Sequence, residues 1–302
     1  METKPKIGFA GLTHLGINSA IAAAEKGFQV IGFHDSSDLI SDLANGKSPI
    51  TEPQLIEKLN SNKSRIKFVE NPDCLSSCDI IYLSVDVPTS KNGTSNLNSI
   101  HKMIEKIKEI INKNTIFIIL CQVPPGFTRK LKLKTKHIFY QVETLVFGDA
   151  INRAINPERI IIGCMNKNKA LDERLKVFLS SFNCPILPMS YESAELSKIS
   201  INLFLVSSVT IANTLAEVCE NIGADWDEII PALRLDKRIG RHAYIKAGLG
   251  ISGGNLERDM QTIVRLGQSY KTDINSIKSF LSNSKRRKNW IWETLQKVID
   301  VK

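Results

Sequence analysis

Four side chains have types and spacings suited to acid–base chemistry. Lys198 and Asn202 lie four residues apart in "ESAELSKISINLFL", so on a helix both project from one face. A lysine on an otherwise apolar helix must either pair or carry its head to solvent, because an unpaired buried ammonium is costly. Glu143 or Asp259 is the acid with which it is expected to pair. Asp259 ends the stretch "GLGISGGNLERD", which has the glycines and final acid of a catalytic loop. Asn255 stands where a nucleophile would be sought, and a carboxamide cannot form a thiohemiacetal. Such a loop can still present backbone N–H groups to a ligand, and it supports chemistry needing only a positioned cofactor and a proton relay.

A second constellation lies at the start of the chain. "GLTHLG" places Gly11, Thr13 and Gly16 at the spacing of G-x-G-x-x-G, after an apolar strand and at the opening of a helix. In that fingerprint the first glycine makes the tight turn, the second admits the pyrophosphate, and the third lets helix and strand approach. Phosphates then meet the helix N-terminus, where unpaired amides and the macrodipole attract anions. The expected dinucleotide contacts are Gly11, Thr13, His14, Leu15 and Gly16, with Asp35 of "IGFHDS" at the adenosine ribose. Thr13 in the middle position is expected to crowd the phosphate. His34 leaves the register of the acid open by one residue, and a turn role for Asp35 stays open as well. The cofactor expected is NAD, since an acid with no arginine beside it disfavours a 2′-phosphate.

These residues need a scaffold, and the apolar runs supply it. "KIGFAGL", "QVIGFHD", "DIIYLSV", "TIFIILCQ", "HIFYQVE" and "RIIIGC" are short and β-branched, with helical patterns between most of them. That alternation predicts an α/β fold, a doubly wound Rossmann-type parallel sheet over residues 1–188. Residues 189–302 are expected to form an all-helical domain around a long central helix spanning Glu192 to Ile222.

The chain has 302 residues and a formal net charge of +9. The runs "TRKLKLKTKH" and "KRRK" invite a nucleic-acid partner, but no nucleic-acid module accompanies them, and solvated helix faces are expected instead. No window is read as eighteen uncharged apolar residues, and the N-terminus leads straight into a strand. The expectation is a cytoplasmic protein that engages neither membrane nor nucleic acid. The six cysteines are scattered, with no ligand spacing for zinc, so neither metal nor disulfide is expected. Cys121 ends an apolar strand and reads as core.

The order of these motifs resembles the UDP-glucose/GDP-mannose dehydrogenase family, the NAD-dependent sugar-nucleotide dehydrogenases. The resemblance runs from about Lys6 to Asp259 and on towards Val301. It is carried by the opening stretch, "GKSPITEPQL", "SVDVPTSKNGTSNL", "VPPGFTRKL", "VETLVFGDAINRAINPERIIIG", "ESAELSKISINLFL", "GADWDEI" and "LDKRIG". It implies oxidation of a sugar alcohol, with Lys198, Asn202 and Asp259 holding the alkoxide and a water, and Glu143 in the same site. It also implies a homodimer formed through the long helix, with Arg238 reaching a substrate across it.

Four departures accompany the resemblance. Asn255 replaces the cysteine of the glycine loop, and Cys121–Gln122 replaces a Ser–Thr pair. Val146 and Phe147 replace an arginine and a glutamate, and the sequence stops where a further α/β domain is expected. The expected function is an NAD-dependent oxidoreductase acting on the CH–OH group of a sugar nucleotide or related substrate, limited to two-electron chemistry. An inactive binding or regulatory homologue, and one subunit of a split dehydrogenase, are the alternatives.

Overall fold

The computed structural model describes residues 4–90, 93–251 and 254–299. Lys91 and Asn92 of one matched segment, Ser252 and Gly253 of the glycine loop, and Val301, towards which the resemblance runs, lie outside them. The chain divides into two compact units, residues 1–88 with 96–198, and residues 89–95 with 199–302.

The first unit is a sheet of eight strands: β1 Ile7–Ala10, β2 Val30–Phe33, β3 Ile66–Val69, β4 Ile80–Leu83, β5 Ile116–Ile119, β6 Ile138–Gln141, β7 Ile160–Cys164 and β8 Ile186–Ser190. Their order is β3-β2-β1-β4-β5-β6-β7-β8. The helices are α1 His14–Glu25, α2 Ser37–Ala44, α3 Leu55–Ser61, α4 Asn98–Ile107, α5 Phe127–Lys130, α6 Ala150–Ile155 and α7 Glu173–Ser180. Strands β1, β2, β4 and β5 are buried at every position, as strands covered on both faces must be. Phe9 stacks on Tyr82 at 5.1 Å between ring centroids, and the Tyr82 hydroxyl donates to Gln141 Oε1 at 2.8 Å.

The sheet departs from the all-parallel expectation at one junction. β7 runs antiparallel to β6, pairing Tyr140 with Gly163 and Gln141 with Ile162, and β8 is parallel to β7. The short helix α6 packs on α1 instead of carrying the chain back along the strands, so β7 starts at the end of the sheet where β6 finished.

The second unit is helical: most of α8 Tyr191–Ile222, then α9 Trp226–Leu235, α10 Gly254–Tyr270, α11 Asn275–Arg287 and α12 Trp290–Val298. Ala212, Ala216 and Cys219 of α8 pack with Trp226, Ile230 and Ile245, and Trp226 Nε1 donates to the Ile245 carbonyl at 3.0 Å. Val206, Ile251 and Met260 form a second cluster.

One expectation about bulk character is revised here. Residues 199–216 of α8 contain no charged side chain, and the helix is long and apolar enough, by length and composition, to cross a membrane. Its inward polar groups are satisfied within the chain, however; Asn213 Oδ1 accepts from the Gly248 amide at 2.7 Å. In the "KRRK" run Lys285, Arg286 and Lys288 are exposed, the solvated face expected, and Arg287 alone is buried. Arg286 binds Glu217, Lys288 binds Glu257 at 2.8 Å, and Arg287 is buried with its Nε donating to the Gly248 carbonyl at 3.1 Å.

Candidate functional site

The dinucleotide turn joins β1 to α1. Gly11 has φ +106°, in the left-handed region, and a Cβ there would meet Val85 Cγ1 at 2.5 Å. A Cβ on Gly16 would lie 1.9 Å from the Gly11 carbonyl oxygen, so helix and turn touch backbone to backbone. Thr13 occupies the N-cap of α1 with an extended backbone, φ −84° and ψ −172°, which any residue adopts. Its hydroxyl donates to the Ser84 carbonyl at 3.2 Å, tying the side chain to the end of β4. The turn therefore keeps its shape with threonine in the middle position. The first amides of α1 have no intrahelical acceptor, and with the helix dipole they make an anion cradle. These residues fit a dinucleotide pyrophosphate.

At the end of β2, His34 Nδ1 accepts from the Ser36 amide at 3.1 Å, which commits it to the turn. Asp35 is exposed and forms an ion pair with Lys106 of α4. The sequence reading weighed nearby arginines and missed this lysine, which comes from a helix distant along the chain.

Beside the turn lies a carboxylate that sequence reasoning also passed over. Glu52, with its side chain 1% exposed, bonds His14 Nε2 at 2.8 Å. It also accepts from the amides of Gly148 at 3.0 Å and Ala150 at 3.2 Å. Burial pushes its pKa up, but the His14 bond and the two amides outweigh this, and the carboxyl is held below its ordinary value. The His14 ring lies against Phe147, with centroids 4.4 Å apart. Leu15 is buried in the core below.

The acid–base residues form two pairs. In the first unit, Lys198 Nζ lies 3.3 Å from Glu143 Oε2, with the side chains 13% and 20% exposed. The lysine is thus paired within the protein and does not extend to solvent. The other Glu143 oxygen accepts from the Leu145 amide, which fixes the carboxylate on the loop after β6. In the second unit, Asn202 Nδ2 donates to Asp259 Oδ2 at 2.6 Å, and both residues are buried. Arg258 Nε is 3.7 Å from the other Asp259 oxygen. Lys198 and Asn202 are one turn apart on α8, so that helix supplies one member of each pair. A further buried acid on the same helix, Glu195, accepts from the amides of Gly126 and Thr128 and anchors the turn after β5. Burial raises its pKa, more than the Thr128 and Gly126 contacts lower it.

Three further candidates remain. Asn255 is exposed in the first turn of α10. Cys121 is fully buried with Sγ 3.2 Å from the Leu83 carbonyl, and burial drives its thiol far above the ordinary value, so it is core and no nucleophile. Arg238 is 89% exposed and pairs with Asp236 at 2.6 Å.

Known proteins place this arrangement in a family. The family model for the UDP-glucose/GDP-mannose dehydrogenase family, NAD binding domain, matches residues 5–182, and that for the central domain matches residues 192–285. The chain is 29% identical over 307 residues to the UDP-glucose 6-dehydrogenase TuaD of Bacillus subtilis, covering 97% of this chain and 66% of that protein. It is 29% identical over 291 residues to the UDP-glucose 6-dehydrogenase of Rickettsia typhi, covering 93% and 67%. A UDP-glucose dehydrogenase structure from Pyrobaculum islandicum superposes with a TM-score of 0.84 at 27% identity, covering 94% of this chain and 68% of that one. The chain thus spans about two thirds of the length of these relatives. It belongs to the UDP-glucose/GDP-mannose dehydrogenase family, with that family's NAD-binding domain at residues 5–182 and its central domain at residues 192–285.

Proposed function

We propose that the protein is an NAD-dependent oxidoreductase acting on the CH–OH group of a sugar nucleotide and confined to a two-electron step. The observation that carries this reading is the enclosed Lys198–Glu143 pair, an ammonium held in a mostly dry setting by a fixed carboxylate. The resemblance to UDP-glucose dehydrogenases supports a sugar nucleotide as substrate. NAD, when bound, supplies the hydride acceptor. Gly11, Thr13, His14, Leu15 and Gly16 would hold its pyrophosphate, with Asp35 at the ribose. Lys198 donates to the oxygen that becomes an alkoxide, and Glu143 keeps the ammonium in place. Asn202 and Asp259 hold a water and relay the proton. Arg238 and Asn255 are assigned to substrate contact.

Residue 255 offers no thiol, so the second oxidation of the family's chemistry has no covalent route there. The test is stoichiometry with a panel of sugar nucleotides. One NADH should form per substrate consumed, with an aldehyde or ketone trapped by hydroxylamine. No NADH from any sugar nucleotide would overturn the assignment, and two per substrate would overturn its restriction to one step.

A cytoplasmic homodimer built on α8 is part of the same proposal. Leu196, Phe204, Ile211, Leu215, Val218 and Ile222 are exposed along that helix, at 40%, 77%, 57%, 42%, 46% and 70%, and their spacings of three, four, seven and eight fall on one face. An apolar stripe of this length on one helix favours burial against a second copy. Phe204→Asp is expected to turn a dimer into a folded monomer in sedimentation velocity at micromolar protein. A monomeric wild type would refute this.

A further inference from the structure

We propose that Glu52 is a positioning residue of the cofactor site, acting through His14 and setting the loop that carries Glu143 from the same carboxylate. The proposal rests on the NAD-binding reading above and deepens it.

Glu52 lies in an irregular segment between α2 and α3, yet its carboxylate is among the most enclosed charges in the first unit. A buried carboxylate is tolerated only where its lone pairs are filled, and here they are filled from two directions. His14, the first residue of α1, comes from the dinucleotide turn. Gly148 and Ala150 come from the segment joining β6 to α6, the same segment that begins with Glu143. Arg153 of α6 closes that segment from its other side, Nε donating to the Thr144 carbonyl at 2.9 Å. Phe147, between these anchors, rests on the His14 ring. One side chain therefore fixes both the entrance of the cofactor helix and the base of the Glu143 loop.

The charge has a specific consequence for His14. An ionised carboxylate only accepts, so His14 must present its Nε2 proton to Glu52. Nδ1 is then the ring nitrogen that carries no proton in the neutral imidazole. Glutamine at position 52 can still receive the Gly148 and Ala150 amides through a carbonyl oxygen at the Oε2 position, giving up only the longer Gly148 contact to Oε1 at 3.2 Å. Its amino group would have to donate to His14 Nε2, which moves the imidazole proton to Nδ1. The shape is conserved and the polarity at the cofactor turn is reversed.

The test is a double-mutant cycle of Glu52→Gln and His14→Gln, read by NADH titration alongside thermal unfolding. Glu52→Gln should melt within about 3 °C of the wild type and bind NADH about tenfold more weakly. His14→Gln should lose a similar factor, and the double variant should be no weaker than the worse single one, because both changes break one linkage. Wild-type affinity in Glu52→Gln, or losses that multiply in the double variant, would overturn the proposal. Should Glu52→Gln fail to fold, His14→Gln decides alone, and full NADH affinity in it would overturn the proposal. A wild type that does not bind NADH would instead strike the NAD-dependent reading on which this one rests.

Discussion

Replacing Lys198 by alanine is expected to lower turnover about a thousandfold or more while leaving NADH affinity within about twofold. The split follows from placement. Lys198 is on α8 and pairs with Glu143, whereas the dinucleotide contacts lie on the turn between β1 and α1. Its ammonium matters where negative charge develops on the reacting oxygen, so its loss should fall on kcat more than on cofactor binding. Glu143 would be left without its cation, but at 20% exposed it keeps access to water, and a stability loss of about 1–2 kcal/mol is expected. Steady-state turnover with an active sugar nucleotide, paired with NADH titration of the same preparation, measures both quantities. Undiminished turnover in Lys198→Ala would remove the lysine from the chemistry.

Gly16→Ala should have the largest effect on the cofactor turn itself. The added Cβ would sit 1.9 Å from the Gly11 carbonyl oxygen, and both atoms are fixed to backbone, so no rotamer relieves the clash. Helix α1 must move away from the turn by more than an ångström, at a cost of about 3 kcal/mol. NADH binding should be lost up to millimolar concentration. Gly248→Ala is the matched control, because a Cβ there meets nothing within 4 Å, and its unfolding midpoint should stay near that of the wild type. Near-wild-type NADH affinity in Gly16→Ala would mean the turn does not approach the cofactor.

Much of this architecture was legible in the sequence. The buried strands β1, β2, β4 and β5 read as continuous apolar runs because both their faces are covered. The edge strands escaped the same reading. β3 carries Lys67 and β8 carries Pro188, residues that an edge admits and an interior strand does not. The direction of β7 was illegible for another reason: "RIIIGC" is equally apolar in either orientation, and only the short helix before it distinguishes a return from a crossover. Among site residues, the glycines of the first turn and the lysine of α8 carry their meaning in their type. Glu52, Glu195 and Lys106 do not. Each acquires its role from partners distant along the chain, Glu52 from Gly148 and Ala150, Glu195 from Gly126 and Thr128, Lys106 from Asp35. "GKSPITEPQL" and "ESAELSK" contain two of them, but nothing in the local pattern separates these acids from solvated ones.

The reversal at β7 has a practical meaning for how this scaffold can change. Because β6 and β7 are adjacent and antiparallel, the segment between them leaves and re-enters the sheet at one end of its strands, with the Val142 amide bonded to the Ile161 carbonyl at its neck. A closed excursion of this kind can be lengthened at little entropic cost, since loop closure grows only slowly with length. Val146, Phe147, Gly148 and Asp149 are exposed along it, and nothing in the strand order depends on their identity. Exposed side chains such as Val146 can thus be exchanged on a backbone that Glu52 and Arg153 pin at Gly148, Ala150 and Thr144, so the contacts beside Glu143 can be rewritten without re-threading the sheet.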